Sequence, residues 1–144
     1  MQVKNHRLTG ADHSHKSPNK SGKITPRIIV LHYTASGGAD GSGDASYLSR
    51  AQARASAQVV VGRKGGVWQL MGLNEKAWHA GSSKWKGVKN VNNFSIGIEI
   101  DNWGWLDSKG RAWSGTQVPA EFQFKATRGG KHNWERYRPE QLAS

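Results

Sequence analysis

Cysteine is absent from this chain of 144 residues, so neither a disulfide nor a thiolate metal ligand can form. Any metal would have to be held by His, Asp or Glu. Acids are scarce as well: 10 Asp and Glu face 21 Lys and Arg, a formal charge of +11. That balance draws the protein towards polyanions, whether nucleic acid, anionic lipid or an anionic cell-wall polymer, and names no reaction. No hydrophobic run approaches the length of a membrane span. The opening "MQVKNHRLTG" lacks the apolar centre of a secretory signal, which predicts a soluble chain made in the cytoplasm without a Sec signal of its own.

Proline numbers only 4, whereas glycine numbers 18 and tryptophan 7. Together with a mean hydropathy of −0.72, this composition suggests one loop-rich domain of strands and helices that uses a few large aromatics as packing mass.

Residues 1–23 carry Lys4, Arg7, Lys16, Lys20 and Lys23 among small polar residues without hydrophobic period, which predicts a basic arm ahead of a domain over 24–144. "RIIVLHY" (27–33) is a short, branched apolar run, as expected of a buried strand. "DASYLSRAQAR" offers Asp44 as a helix N-cap, with Tyr47, Leu48 and Ala51 on one face. "AQVVVGRKGGVWQLM" predicts a hairpin whose turn draws positive φ from Gly65 and Gly66. "FSIGIEI" (94–100) is a further strand, and "KAWHAGSSKWKGVKNVNN" before it has the composition of a long functional loop. "YRPEQLAS" announces a helix with Pro139 at its first position.

Three residues stand out chemically. His32 sits where a strand opens into a glycine-rich loop, a place that fixes an imidazole while leaving it reachable; spacing alone equally describes a histidine satisfied by core hydrogen bonds. His79 lies in the aromatic, glycine-flanked "WHAG". Glu99 interrupts an otherwise apolar strand, and such carboxylates are seldom buried without a partner. "DHSHK" brings Asp12, His13 and His15 together, a pattern that also suits a solvated polar segment.

"IIVLHYTAS", "SAQVVVGRKGGVWQL", "KAWHAGSSKWKG" and "NNFSIGIEI", in this order and spacing, resemble the zinc-dependent N-acetylmuramoyl-L-alanine amidases of the type 2 family, whose fold is shared with peptidoglycan-recognition proteins. The resemblance implies an α/β fold with a central mixed β-sheet flanked by helices and a groove along one face. It also implies hydrolysis of the amide joining N-acetylmuramic acid to L-alanine in peptidoglycan. Carried over by motif, His32 matches a zinc ligand and Glu99 the acidic residue that assists the water. His79 matches a groove histidine that is not normally a ligand, and Trp78, Trp85, Trp103 and Asn93 accompany it as expected substrate contacts. Trp105 and Trp113 belong to the same tryptophan cluster, of which Trp85 and Trp103 are the expected exposed members. Gln58 stands where the family usually has histidine, which predicts altered groove polarity.

The family's remaining zinc ligands follow the helix that begins at "YRPEQL", so the resemblance leads us to expect a C-terminally truncated domain with one identified ligand, His32. Candidate substitutes are His79, Glu99, Asp101 and His132. The expected function is therefore a bacterial or phage, endolysin-like peptidoglycan hydrolase acting at the cell wall, its activity in doubt for want of two zinc ligands. The alternative is a non-catalytic peptidoglycan-binding module. Anionic wall polymers suit the charge; nucleic acid ranks last, because the aromatics are not interleaved with Lys and Arg in any recognised binding pattern.

Overall fold

The computed structural model describes residues 1–38, 40–127 and 133–144. In chain order its elements are β1 (Val3–Lys4), β2 (Arg7–Leu8), β3 (Lys20–Lys23), β4 (Ile28–Tyr33), α1 (Ser42–Leu48), β5 (Val59–Val61), β6 (Val67–Gln69), β7 (Glu75–Ala77), β8 (Lys84–Trp85), β9 (Val88–Lys89) and β10 (Ser95–Ile100). They continue with β11 (Trp105–Leu106), β12 (Gln123–Lys125), β13 (Asn133–Glu135) and the single-turn helix α2 (Pro139–Leu142). Among the described residues no helix is long and apolar enough to cross a membrane.

The central sheet has the order β4-β10-β5-β6. β10 runs parallel to β4 and to β5, and β6 returns antiparallel from β5, so the sheet is mixed, as the family resemblance implies. Its nearly continuous apolar run suits β10 to a place with neighbours on both sides. In the β5–β6 turn only Gly65 takes a positive φ, 78°; Gly66 does not.

Register divides the side chains between two faces. Ile29, Leu31, Ile96, Ile98, Val59 and Val61 share one face; Val30, His32, Gly97, Glu99 and Val60 share the other. Helix α1 closes the second face by packing Ala45 and Leu48 with Ala57, Val60 and Leu70. Its expected face is thus shifted: Tyr47 is exposed, and Gly41 rather than Asp44 is the N-cap. The first face meets Leu8 and Ala11 of the N-terminal segment over Val59, Val61 and Val67. Ile29 and Leu31 remain 61% and 63% exposed there, beside an apolar cleft of about 310 Å³.

The segment read from sequence as a basic arm is laid on the domain. β1 pairs with β2 and β3 with β7, and Asp12 bridges to Trp68. Ser17 and Asn19 are buried: Ser17 Oγ donates to the Leu48 carbonyl at 2.6 Å, and Asn19 Nδ2 to the Arg50 and Ala55 carbonyls at 2.9 and 3.1 Å. Small polar side chains plug into backbone here, so the docking leaves no hydrophobic period to read.

One guanidinium ties the end of the sheet to the rest. Arg63 pairs through Nη1 with Asp101, just past β10, and through Nη2 with Glu135 of β13 at 2.8 Å. The same nitrogens donate to the carbonyls of Gly38 and Ser36 at 2.8 and 3.2 Å. Arg138 Nη2 reaches Glu135 at 3.0 Å, and Gln141 Nε2 donates to the Asp101 carbonyl at 2.8 Å, which docks α2. The Asp101 and Glu135 side chains are 0% and 1% exposed. Removing the guanidinium leaves two buried carboxylates without it, so Arg63→Met is expected to lose about 3–5 kcal/mol in urea denaturation. Arg63→Lys, with one ammonium for four acceptors, should fall between; a loss below about 1 kcal/mol for Arg63→Met would contradict this role.

Candidate active site

β4 and β10 place His32 directly opposite Glu99. His79 reaches His32 from the loop after β7, where Asn92 Oδ1 accepts the His79 and Ala80 backbone N–H groups at 3.2 and 2.9 Å. The His79 ring lies over Gly97; a Cβ at that position would stand 2.5 Å from its Cγ. Glycine in the middle of β10 thus makes room for an imidazole on the sheet.

The two histidines form an ordered chain. His32 Nε2 lies 3.0 Å from His79 Nδ1, and His79 Nε2 lies 2.9 Å from Ser95 Oγ, which donates to the Val91 carbonyl at 2.7 Å. With its one proton committed to that carbonyl, Ser95 accepts from His79 Nε2–H. His79 Nδ1 is then an acceptor, His32 donates through Nε2–H, and the lone pair of His32 is at Nδ1. Burial lowers the His32 pKa, and burial with the neighbouring His32 brings His79 down to about 4, so both rings are neutral at pH 7.

Glu99 has the opposite shift. Burial first, then the charge of Asp44, pushes its carboxyl up to about 7. Asp44 belongs to the first turn of α1 and is itself raised by burial, against the pull of Ser36 Oγ, which donates to its two oxygens at 2.7 and 2.9 Å. Asp44 and Glu99, with Thr34 and Leu48, line a small pocket of about 130 Å³. A carboxyl that titrates near neutrality, facing a pocket, is equipped to move protons.

These groups do not make the expected zinc site. His32 offers one lone pair, whereas a catalytic zinc takes about three protein ligands, and among the described residues no group of three His, Cys, Asp or Glu side chains could hold an ion. Asp101 is no substitute, because Arg63 holds its carboxylate. His132 lies outside the described residues. In "DHSHK", His13 Nε2 meets the Leu8 carbonyl at 3.2 Å and Asp12 accepts the Ser14 N–H at 2.7 Å, an ordinary capped turn.

Residues 22–144 match the family described as N-acetylmuramoyl-L-alanine amidase. The chain belongs to this amidase family. It is similar to the N-acetylmuramoyl-L-alanine amidase AmiD of Escherichia coli, 35% identical over 104 residues that cover 67% of this chain and 36% of AmiD. It is also similar to the 1,6-anhydro-N-acetylmuramyl-L-alanine amidase AmpD of the same organism, 35% identical over 92 residues, 54% of this chain and 50% of AmpD. The solved structure of E. coli AmiD in complex with the substrate anhydro-N-acetylmuramic acid-L-Ala-D-γ-Glu-L-Lys superposes with a TM-score of 0.54 at 26% identity, over 94% of this chain and 43% of that one. The chain therefore spans half or less of the length of these relatives.

Elsewhere in this amidase-family domain the expected contacts scatter. Trp78 and Asn93 border one polar hollow of about 290 Å³ with Lys76 and Asn92; Trp78 Nε1 donates to Ser21 Oγ at 2.7 Å, and Asn93 accepts from Lys76 at 3.2 Å. Trp85 is 43% exposed at the end of β8, with Lys86 Nζ 4.8 Å from its ring centroid. Trp103, expected to be exposed, is partly buried against Leu106, Ala112 and Val118 and lies on Gly37, where a Cβ would collide with its ring. Gln58 is fully buried and does not line the groove. Its Oε1 accepts the Gly97 N–H at 2.7 Å, and its Nε2 donates to the Glu75 carbonyl at 2.8 Å. Asp44, Ser36, Asn92 and Ser95 do not stand out as site residues in the sequence; Ser36 closes "IIVLHYTAS" and Asn92 and Ser95 lie in "NNFSIGIEI", a signal that could have found them, whereas Asp44 reads only as a helix cap.

The hydrogen-bond chain predicts the Nε2–H tautomer for both histidines. Long-range ¹H–¹⁵N spectra at pH 7 should show His32 Nδ1 unprotonated, and Ser95→Ala should give mixed tautomers at His79 and His32; a protonated Nδ1 on His32 in the native chain would refute the chain as drawn. The Glu99 shift has a stability consequence whose sign follows from its direction. Its folded pKa, about 7, lies above its ordinary value of 4.5, so ionisation costs folding free energy and stability from this group falls as pH rises between the two. Glu99→Gln should therefore melt higher than the native chain at pH 8, by up to about 3 kcal/mol, and should show no such gain at pH 4. Equal melting at both pH values would remove the argument for a desolvated carboxyl.

Proposed function

We propose that this chain acts as the amide-hydrolysing domain of a peptidoglycan amidase, cleaving the bond between N-acetylmuramic acid and L-alanine at the bacterial cell wall. The reading rests on family membership, and one observation carries it: Glu99, titrating near neutrality, shares a sheet face with the His32–His79 pair at the end of parallel strands. In the hydrolysis, water adds to the amide carbonyl carbon, the C–N bond breaks, and the departing nitrogen of L-alanine gains a proton. In this reading Glu99 takes a proton from the water and returns it to that nitrogen. His32 and His79 stay neutral beside it, so they add no cation that would pull the carboxyl pKa back down.

Zinc enters as an expectation of the family alone. The described residues do not bring together the donors it needs, and no step is assigned to it. That same observation favours a second reading, a peptidoglycan-binding module without catalysis. In either case the formal charge of +11 suits capture by anionic wall polymers, and such capture weakens as salt screens it.

The test measures two things on one preparation: sedimentation with purified peptidoglycan, and release of L-alanine amino termini with added zinc or with chelator. The expected outcome is release that drops about 10²-fold or more in Glu99→Gln, with sedimentation unchanged. A chain that sediments but releases no termini, with or without zinc, is the binding module. One that neither sediments nor releases defeats both readings.

A further inference from the structure

Trp113 is the most exposed of the described aromatics, at 72%, yet it is firmly held. Its indole Nε1–H donates to the Ala35 carbonyl at 2.7 Å, and its ring meets that of Trp103 edge-on, with centroids 6.4 Å apart at 75°. Trp103 in turn lies on Gly37, and its backbone N–H donates to Glu135 at 2.6 Å. Trp113 projects from the tip of a small hairpin closed by the Arg111–Gln117 bridge, by the Ala112 N–H to the Thr116 carbonyl at 2.9 Å, and by Gly115 at φ 84°. A core of its own, Leu106, Ala112 and Val118, supports that hairpin. The strand of His32 runs on directly into the segment that anchors the ring, and Ser36 of that segment holds Asp44.

From this placement we infer that Trp113 is a stacking platform for a neutral pyranose of the glycan strand, beside the amide-cleaving centre. The inference rests on the proposed amidase reading and goes beyond it by assigning a sugar subsite. The chemistry selects the ligand. With its N–H already spent on Ala35, the indole offers a flat apolar face and no donor, which complements the C–H face of a sugar ring. At the hairpin Arg111 is neutralised by Asp107 at 2.8 Å, so the tip is not built for a phosphate. A ring fixed in advance loses little entropy on binding, which is the return on exposing so large an apolar group.

The test uses the full 144-residue chain with two probes: a β-1,4-linked N-acetylglucosamine tetramer, which has no peptide, and the peptide L-Ala-D-γ-Glu-L-Lys, which has no sugar. Binding is followed by calorimetry and by the Trp113 indole N–H resonance. The tetramer should shift that resonance, Trp113→Ala should weaken tetramer binding roughly tenfold, and Trp113→Phe should restore most of it, with peptide binding and melting temperature unchanged. Unaltered tetramer affinity in Trp113→Ala, or a loss confined to the peptide, overturns the subsite. If that happens while the native chain still releases L-alanine termini, the sugar subsite alone fails. If the native chain binds neither probe and ignores peptidoglycan, the amidase reading fails and takes the subsite with it.

Discussion

Arg63 gathers four parts of the chain that are far apart in sequence: the β5–β6 turn that carries it, the end of β10, the 36–38 segment and β13. Each contact is a charge-assisted hydrogen bond in a setting nearly closed to water, where such bonds are strong and their loss is costly. The geometry of the site follows from this anchorage. The segment that Arg63 fixes also binds Asp44 through Ser36, receives Trp103 on Gly37 and accepts the Trp113 indole at Ala35. One guanidinium therefore fixes the segment that holds both Asp44, the electrostatic neighbour of Glu99, and the Trp103–Trp113 pair.

The site is bought with stability. Covering the His32 face with α1 desolvates Glu99 and Asp44 together, and the charge of Asp44 deepens the cost of ionising Glu99. The imidazoles pull in the other direction on the pH axis, because burial disfavours their protonation and so penalises the fold as pH falls towards 4. A neutral histidine pair beside a carboxyl balanced near pH 7 is thus confined to a middle range of pH by the two opposed costs.

The strands were legible because branched apolar runs and a glycine-bearing turn encode them locally: β4, β10 and the β5–β6 hairpin lie where the pattern puts them. The motifs single out His32, His79 and Glu99, and the fold sets Glu99 opposite His32 and His79 within hydrogen-bond distance of His32. What stayed hidden is held by side chain to backbone contacts, which have no period. Ser17 and Asn19 dock the N-terminal segment in this way, and Gln58 reads as a groove residue until its amide is seen bonded to Gly97 and Glu75. The expected exposure of Trp103 fails and Trp113 takes its place, since which indole is covered depends on Gly37 and on a tight hairpin rather than on hydrophobic alternation.

Among the described residues β4 occupies the rim of its sheet, with β10 along one flank and no strand along the other. Half of its backbone amides thus lack a ladder partner on the sheet, and the rim of a sheet opens by fraying before its middle does. His32 rides on that strand. Its orientation therefore owes more to the ring of His79, which is seated over the interior strand β10, than to the ladder of β4. Amide hydrogen exchange should accordingly grade across the sheet, slow at β10 and fast at β4, with the imidazole staying in register while its own backbone breathes.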